Sequence, residues 1–191
     1  TTGALGLGNT TTALSAPHST LFVNTSASSA PATQITCGAG HVCSLHANGD
    51  LLCWGNGFQG QLGLNDTISV FSPTQLVNLS YPASQAVYVC AGNSHTCTLF
   101  ADGAVKCWGL SNRHGYPGPS LLTPNPTQTV NFTNGAVRKL SCGSVFTCAL
   151  MVNGAMECWG SSSNQEIGVP NPPTSLSAVP VVAVSAARPI R

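Results

Sequence analysis

The sequence is poor in charge, and this absence excludes several classes of protein. Only 6% of its 191 residues are charged, against about 25% in ordinary soluble domains. Its lysines and arginines are scattered, at Lys106, Arg113, Arg138, Lys139, Arg188 and Arg191. Nucleic-acid binding calls for clustered basic side chains, and binding to anionic lipid calls for a basic patch. We therefore expect no nucleic-acid partner and no attachment to a lipid surface.

Long apolar runs are also missing. The longest, residues 179–187, is far shorter than the roughly 20 residues that span a bilayer, so we expect no membrane insertion. The chain starts at Thr1 without a signal peptide. We expect a leader or a longer N-terminal part to precede it.

Carboxylates are too few and too dispersed for acid–base catalysis. The sequence has five, at Asp50, Asp66, Asp102, Glu157 and Glu166, and no two are placed to work as a pair. Nucleophile-elbow, zinc-protease and phosphate-loop motifs are absent. We expect a protein that is not an enzyme and that carries no cofactor and no metal.

One stretch occurs three times and organises the rest of the chain. It reads CSLHANGDLLCWG at 43–55, CTLFADGAVKCWG at 97–109 and CALMVNGAMECWG at 148–160. Each copy has two cysteines separated by nine residues, Asn-Gly or Asp-Gly near the midpoint, and Trp-Gly directly after the second cysteine. A fixed skeleton of this kind indicates a repeat architecture.

The skeleton predicts a β-hairpin closed by a disulfide. Asn-Gly and Asp-Gly supply the positive φ of a tight turn, and a three-residue bulged loop at 47–49 places His46 opposite Asp50 and Cys43 opposite Cys53. Alternation makes the cysteines a non-hydrogen-bonded pair, about 4.5 Å apart at Cα and within disulfide range. The same count predicts two further bridges, Cys97–Cys107 and Cys148–Cys158. Zinc ligands prefer shorter spacings, so the disulfide reading is favoured.

Three more cysteines, Cys37, Cys90 and Cys142, occur once per repeat, and their pairing stays open. Cys37 and Cys142 match in alignment, whereas Cys90 lies one residue earlier and is expected to face the other side of its strand. Nine cysteines is an odd number, so at least one is free or bonded outside this segment. A metal site at Cys37, His41 and Cys43 is disfavoured, because Phe146 replaces the histidine in repeat three.

Paired cysteines and sequons favour an extracellular location. Disulfides persist in oxidising compartments. Five asparagines begin N-x-S/T triplets and are predicted N-glycosylation sites: Asn9, Asn24, Asn65, Asn78 and Asn131. We therefore expect a secreted or cell-surface protein with covalently attached glycans.

The repeats divide the chain into five parts. Residues 1–34 resemble the segment after the first Trp-Gly and are predicted to be the tail of a preceding repeat. Repeats one to three occupy 35–85, 86–136 and 137–180, and 181–191 is predicted to begin another first strand. Short strands, glycine turns and proline loops at this period are typical of β-propeller blades. We predict an all-β fold of three full blades plus partial repeats at both ends.

The repeat resembles that of the regulator of chromosome condensation family, in a cysteine-rich, extracellular variety. Repeat one carries the resemblance most fully, with Gly38, His41, Asn48-Gly49, Trp54-Gly55 and the Gly-Gln-Leu-Gly box at 60–63. Repeat two lacks the box, and repeat three lacks both the box and the histidine. The resemblance implies a propeller, but the departures argue against carrying over any family activity that needs those positions.

The tryptophans and the completeness of the ring leave alternatives open. Trp54, Trp108 and Trp159 are expected to pack between neighbouring blades, with a carbohydrate or partner groove as the other reading. The blades belong to a longer ring, close a small ring through a composite blade, or form an open arc whose edges pair with a neighbour.

The function predicted from these features is structural. We expect a non-catalytic extracellular scaffolding glycoprotein within a cell-surface or fibre-like assembly, such as a coat or a flagellar hair-like appendage. Its partners would be further copies of itself or other extracellular glycoproteins. The alternative is a secreted binding module that grips a protein or glycan through its loop face. The nuclear role that the family resemblance also implies is disfavoured by the paired cysteines and the sequons.

Overall fold

A computed structural model describes residues 6, 23–79, 84–110, 122–160 and 179–180. Within them all regular structure is β, as predicted. The strands are β1 Ala32–Cys37, β2 His41–His46, β3 Leu51–Gly55, β4 Ala86–Ala91, β5 His95–Phe100, β6 Val105–Leu110, β7 Leu122–Thr129, β8 Val137–Cys142, β9 Phe146–Met151, β10 Met156–Gly160 and β11 Val179–Pro180.

The strands form three antiparallel sheets, one for each repeat. Their orders are β1-β2-β3, β4-β5-β6-β7 and β11-β10-β9-β8. Each sheet is a meander in chain order, which is the arrangement of a propeller blade. We name them blades 1, 2 and 3, and we call β1, β4 and β8 the first strands. The first strand of each following blade contacts both the first and the second strand of the preceding blade.

The predicted hairpin register is confirmed. In blade 1, Leu45 pairs with Leu51 and Cys43 pairs with Cys53, and the N–H of His46 donates to the carbonyl of Asp50 at 2.9 Å. Gly49 has φ +85°, the left-handed conformation that the bulged turn requires and that glycine adopts without a Cβ clash. The cysteine pair therefore falls at a non-hydrogen-bonded position, where Cα atoms approach most closely.

Blade 1 lacks the fourth strand of a typical propeller blade among the described residues. After β3 the chain returns to the sheet only at two isolated bridges, Leu52 with Leu76 and Gly55 with Val70. Between them it bends at Phe71 and Ser72, and Pro73 follows, which has no N–H to donate to a ladder. Blades 2 and 3 do have fourth strands, β7 and β11.

The core lies between blades. One buried cluster combines Leu45, Leu51 and Leu62 of blade 1 with Val89 and Trp108 of blade 2. The other combines Leu99 and Val105 of blade 2 with Leu140, Met151 and Trp159 of blade 3. Since each blade buries its apolar face against the next one, the repeats stabilise one another in sequence.

Candidate functional site

The three hairpin disulfides form where the sequence places them. Cys43–Cys53, Cys97–Cys107 and Cys148–Cys158 have Cα–Cα distances of 4.1, 4.1 and 4.0 Å. Each joins the second and third strands of its blade. The next residue in each blade is a tryptophan that is 0–2% exposed. Successive strand residues face opposite sides of the sheet, so in blade 2 the bridge packs in the interface, or seam, with blade 3, and Trp108 packs in the seam with blade 1.

Trp108 shows how one seam is built. Its indole Nε1 donates to the main-chain carbonyl of Gln61 at 3.0 Å, and Thr96 Oγ1 donates to the same carbonyl at 2.8 Å. Gln61 belongs to the Gly-Gln-Leu-Gly box of blade 1, so the box of one blade receives the tryptophan of the next. At Gly63 a Cβ would lie 2.7 Å from Trp108 Nε1, which explains why the box needs glycine there.

Trp54 lies in an equivalent seam on the other side of blade 1. A Cβ on Gly6 would meet its Nε1 at 2.7 Å and Val23 at 2.9 Å. At Gly63 the corresponding distances are 2.7 Å to Trp108 and 2.9 Å to Val77. Gly6 therefore lies beside Trp54 and Val23 as Gly63 lies beside Trp108 and Val77.

Trp159 of blade 3 lies in the seam with blade 2. It is 1% exposed and belongs to the cluster that includes Cys90, Cys97 and Leu99 of blade 2. Phe132 contacts it edge-on, with ring centroids 5.5 Å apart and planes at 70°. All three tryptophans thus lie buried against the preceding segment, which leaves no exposed aromatic groove formed by them.

The histidines of the repeat are seam residues too. His41 Nε2 lies 2.9 Å from Thr96 Oγ1, and His95 Nε2 lies 2.9 Å from Thr147 Oγ1; each pair links a blade to the next. Burial lowers the pKa of His41 from its usual 6.5 to about 4, so the ring is neutral at pH 7. A neutral, buried, hydrogen-bonded ring indicates that the histidine packs between the blades rather than acting as a catalytic base.

One cluster has ligand spacing for a metal ion. His95, Cys97 and Cys142 place their ligand atoms within 4.8 Å of one another. Both cysteines are disulfide-bonded, however, to Cys107 and Cys90. Because zinc binds the thiolate rather than the disulfide sulfur, the oxidised protein offers only the histidine at this place.

A fourth disulfide joins two blades. Cys90 on β4 bonds Cys142 on β8, with Cα atoms 5.6 Å apart and a sequence separation of 52. The one-residue offset of Cys90, which puts its side chain on the other side of the strand, suits this bridge, because Cys90 faces the following blade and Cys142 faces the preceding one. Cys37 is exposed and has no disulfide partner.

The predicted glycosylation sites that the structure describes are accessible. Asn24, Asn65, Asn78 and Asn131 are all exposed, and Asn9 lies outside the described residues. Asn65 has φ +66°, a left-handed conformation that asparagine tolerates in loops. All four side chains can therefore project a glycan away from the sheets.

The described carboxylates have structural roles. Asp50 accepts from Ser28 Oγ and Asn48 Nδ2 at 2.9 and 2.8 Å. Glu157 is fully buried and accepts from the main chain and side chains of Thr133 and Asn134. Asp66 and Asp102 accept N–H groups two residues on, within turns, and Glu166 lies outside the described residues. None of the four described carboxylates faces another.

The first strands border a cavity that is a candidate for binding. It measures about 540 Å³ and lies between β1, β4 and β8, and a second space of about 410 Å³ lies at its end. The second space is lined by matching segments from the three blades, 37–39, 91–93 and 142–144. Their side chains are small, so main-chain groups lie near the surface, and this lining contains no carboxylate and no histidine. Such a surface can bind, but it holds no acid–base pair.

Comparison with known families identifies the repeat. Residues 32–61, 86–115 and 137–166 match one model described as the regulator of chromosome condensation (RCC1) repeat, and residues 48–99 match a second model with the same description. The chain belongs to this family. The three segments matched by the first model begin at the first residues of β1, β4 and β8, whereas the match to the second model begins in the hairpin turn of blade 1 and ends in β5 of blade 2.

Curated relatives cover most of the chain but share only part of their own length. The ultraviolet-B receptor UVR8 of Arabidopsis thaliana is 33% identical over 147 residues, which are 74% of this chain and 32% of the receptor. The probable E3 ubiquitin-protein ligase HERC4 of Homo sapiens is 29% identical over 141 residues, 72% of this chain and 13% of the ligase. The chain thus spans a third or less of these relatives.

Solved RCC1-type structures show the same fold. Human WBSCR16 matches with a TM-score of 0.69 and 25% identity, over 80% of this chain and 37% of that protein. Prp20p of Saccharomyces cerevisiae matches with a TM-score of 0.68 and 21% identity, over 78% and 37%. The propeller prediction is therefore confirmed. Among the described residues there is no helix with the length and hydropathy needed to cross a bilayer.

Proposed function

We propose that this chain is an extracellular, N-glycosylated RCC1-repeat segment that binds other proteins and carries out no chemistry itself. The observation that carries the proposal is the set of four disulfides, three within blades and one between them. Thiols of cytosolic and nuclear proteins are kept reduced, so disulfides used this densely belong to a secreted or cell-surface protein.

The sequons support the same location. Asn24, Asn65, Asn78 and Asn131 are exposed in three different parts of the fold, and attachment of a glycan there would displace no core residue. The low charge of the chain, 6%, also suits a surface whose solubility depends on sugars.

Protein binding is supported by the architecture rather than by a catalytic group. The cavity of about 540 Å³ between the first strands opens beside segments 37–39, 91–93 and 142–144. Three matching segments with small side chains give a partner access to main-chain donors and acceptors. UVR8 is named as a light receptor and HERC4 as a ubiquitin ligase. We propose neither activity for this chain, because it matches 32% of the receptor and 13% of the ligase.

A structural role in a cell-surface or fibre-like assembly is the second candidate. It is favoured by the Cys90–Cys142 bridge, which locks two blades together and suits a protein that must keep its shape outside the cell. The partners would then be further copies or other extracellular glycoproteins rather than a soluble ligand.

The location is tested by mass spectrometry of the protein isolated from its natural source. Chymotryptic peptides are mapped without reduction, after enzymatic release of N-glycans in heavy-oxygen water. We expect the four disulfides intact and an isotope label at Asn24, Asn65, Asn78 or Asn131. Free thiols at Cys43, Cys97 and Cys148, or the absence of label at every sequon, would show that the protein is not extracellular.

The binding surface is tested by site-specific photocrosslinking in the natural extracellular material. A photoreactive residue replaces Ala39 or Asn93 beside the cavity, and the control replaces Val152, which is 68% exposed at a hairpin turn. We expect a crosslink of defined mass at 39 and 93 and none at 152. A crosslink to a second copy identifies a scaffold, and a crosslink to another protein identifies a binding module. Equal labelling at all three positions contradicts the proposal.

A further inference from the structure

The blade-joining disulfide uses two defined positions of the first strand. The last position is occupied by Cys37 in β1, Ala91 in β4 and Cys142 in β8, each paired with the second residue of the following strand. The penultimate position is occupied by Thr36, Cys90 and Ser141, each paired with the hairpin cysteine of its blade. The bridge at the seam between blades 2 and 3 runs from the penultimate residue of one blade to the last residue of the next.

The same two positions meet at the other seam, where no cysteine pair is present. The N–H of Ala91 donates to Thr36 Oγ1 at 3.1 Å, which again joins the penultimate side chain of one blade to the last residue of the next. The close approach of the penultimate side chain of one first strand to the last residue of the next is therefore a feature of both seams. A cysteine at the last position faces the preceding blade.

Cys37 occupies the last position of β1. The side of blade 1 that faces the preceding repeat already forms a seam. Gly6 lies there beside Trp54 and Val23 in the way that Gly63 lies beside Trp108 and Val77. Cys37 itself is exposed, so the first strand of the preceding blade, which would cover it, is not among the described residues.

We infer that Cys37 forms a disulfide with a cysteine at the penultimate position of the first strand of another propeller blade, packed against the open side of blade 1. That blade lies beyond these 191 residues. Residues 1–36 contain no cysteine, and the other eight cysteines are bonded. A second copy docked head to tail would bring Ser141 to this place, which cannot form the bond.

The chemistry is an ordinary thiol oxidation. One Sγ–Sγ bond forms and two S–H bonds are lost. The two electrons and two protons pass to a disulfide of a thiol oxidoreductase or to oxidised glutathione, whose S–S bond breaks to give two thiols. The proposal goes beyond the proposed function, because it assigns Cys37 a role as the link to a further blade.

The first experiment uses the protein in its native form from its source. Accessible thiols are alkylated before denaturation, and chymotryptic peptides are then mapped without reduction. We expect Cys37 unalkylated and joined to a cysteine of an RCC1-type first strand. Electrophoresis with and without reductant distinguishes a blade of the same polypeptide, which leaves the mass unchanged, from a blade of another polypeptide, which raises it.

Three outcomes would overturn the inference: alkylated Cys37, Cys37 capped by glutathione, or Cys37 joined to a cysteine outside a first strand. Alkylation of Cys37 alone, with Cys43–Cys53 intact, rejects this inference and leaves the extracellular proposal standing. Alkylation of Cys43, Cys97 and Cys148 as well rejects both.

The second experiment tests the seam geometry within this chain. The triple variant Thr36→Cys, Cys37→Ser, Ala91→Cys places cysteines at the two seam positions between blades 1 and 2, and Thr36→Cys, Cys37→Ser is the control. We expect no reactive thiol in the unreduced triple variant and one per chain in the control. Two reactive thiols in the triple variant would show that the seam does not support the bridge, and would remove the basis of the inference.

Discussion

His41 Nε2 lies 2.9 Å from Thr96 Oγ1 across the seam between blades 1 and 2, and His95 repeats the contact with Thr147 at 2.9 Å across the next seam. In blade 3 the position of these histidines is held by Phe146, an apolar ring of similar shape. Since the slot accepts a phenyl ring in one repeat and an imidazole in two, the histidine contributes a hydrogen bond to the seam rather than a reactive group.

His41 should make stability depend on pH. The pKa of its ring is about 4 in the folded protein, against 6.5 in a solvated histidine, so the unfolded chain binds more protons between these values. The free energy of unfolding that depends on the neutral His41 ring is fully present above pH 6.5. It falls by about 3 kcal/mol as the pH drops to 4, at 1.36 kcal/mol per unit of pKa. Urea unfolding of the wild type and His41→Phe across pH 4–7 measures it. The variant should lose less stability on acidification, and parallel curves would contradict the assignment.

Removal of the blade-joining disulfide should cost more than removal of a hairpin disulfide. The two loops span 52 and 10 residues, for which chain entropy gives about 4 and about 3 kcal/mol. Cys90→Ala/Cys142→Ala and Cys43→Ala/Cys53→Ala are compared by urea unfolding without reductant. We expect the lower midpoint for the first pair. A larger loss from the second would mean that hairpin strain or packing outweighs loop closure.

Gly63→Ala should destabilise the seam with blade 2. The residue has φ +73°, and its Cβ would lie 2.7 Å from Trp108 Nε1, so strain and a clash add up. Gly154→Ala is the matched control, with φ +87° and no atom within 4 Å of the Cβ. We expect about 1 kcal/mol for the control from backbone strain alone and a greater loss at 63. Thermal unfolding followed by tryptophan fluorescence measures both.

Glu157→Gln should loosen the segment that leads into β8. The carboxylate accepts the N–H groups of Thr133 and Asn134 at 3.0 and 2.8 Å, and their side chains at 3.0 and 2.8 Å. All four bonds fall on Oε1, and Oε2 lies 3.3 Å from the N–H of Thr133. An amide nitrogen at the Oε2 position sets two buried donors against that N–H, at a cost of about 1–3 kcal/mol for unpaired groups. Hydrogen exchange should rise at the amides of 133 and 134, with Met156→Gln, at an exposed neighbouring position, as the control. Unchanged exchange in the glutamine variant would assign the order of this segment to other contacts.

The hairpins could be predicted from sequence because every determinant is local. The turn glycine fixes the loop, the loop fixes the register, and the register brings Cys43 to Cys53. The same holds for the all-β fold, since three copies of one pattern carry the signal. The tail assignment of 1–34 rested on a short resemblance and stays a prediction.

What could not be predicted depends on how blades sit side by side. The Cys90–Cys142 bond joins strands 52 residues apart, and a one-residue offset in alignment carries no information about the stagger between neighbouring first strands. The hydrogen bonds of His41 to blade 2 and of Trp108 to blade 1 could not be predicted either, because they too depend on how the blades sit side by side. The extracellular location of the protein and the glycans at Asn9, Asn24, Asn65, Asn78 and Asn131 stay predictions.

The carbonyl of Gln61 receives both Trp108 and Thr96, while the side chain of the same residue turns inward to accept the N–H of Gln59 at 2.8 Å. The acceptor that the neighbouring blade binds is thus a main-chain carbonyl oxygen, which every amino acid has. Substitution can alter how this loop is held but cannot delete the acceptor, so blades can diverge in their boxes and still stack. A duplicated repeat joined in this way can accumulate substitutions in its outer loops without a compensating substitution in the neighbouring blade.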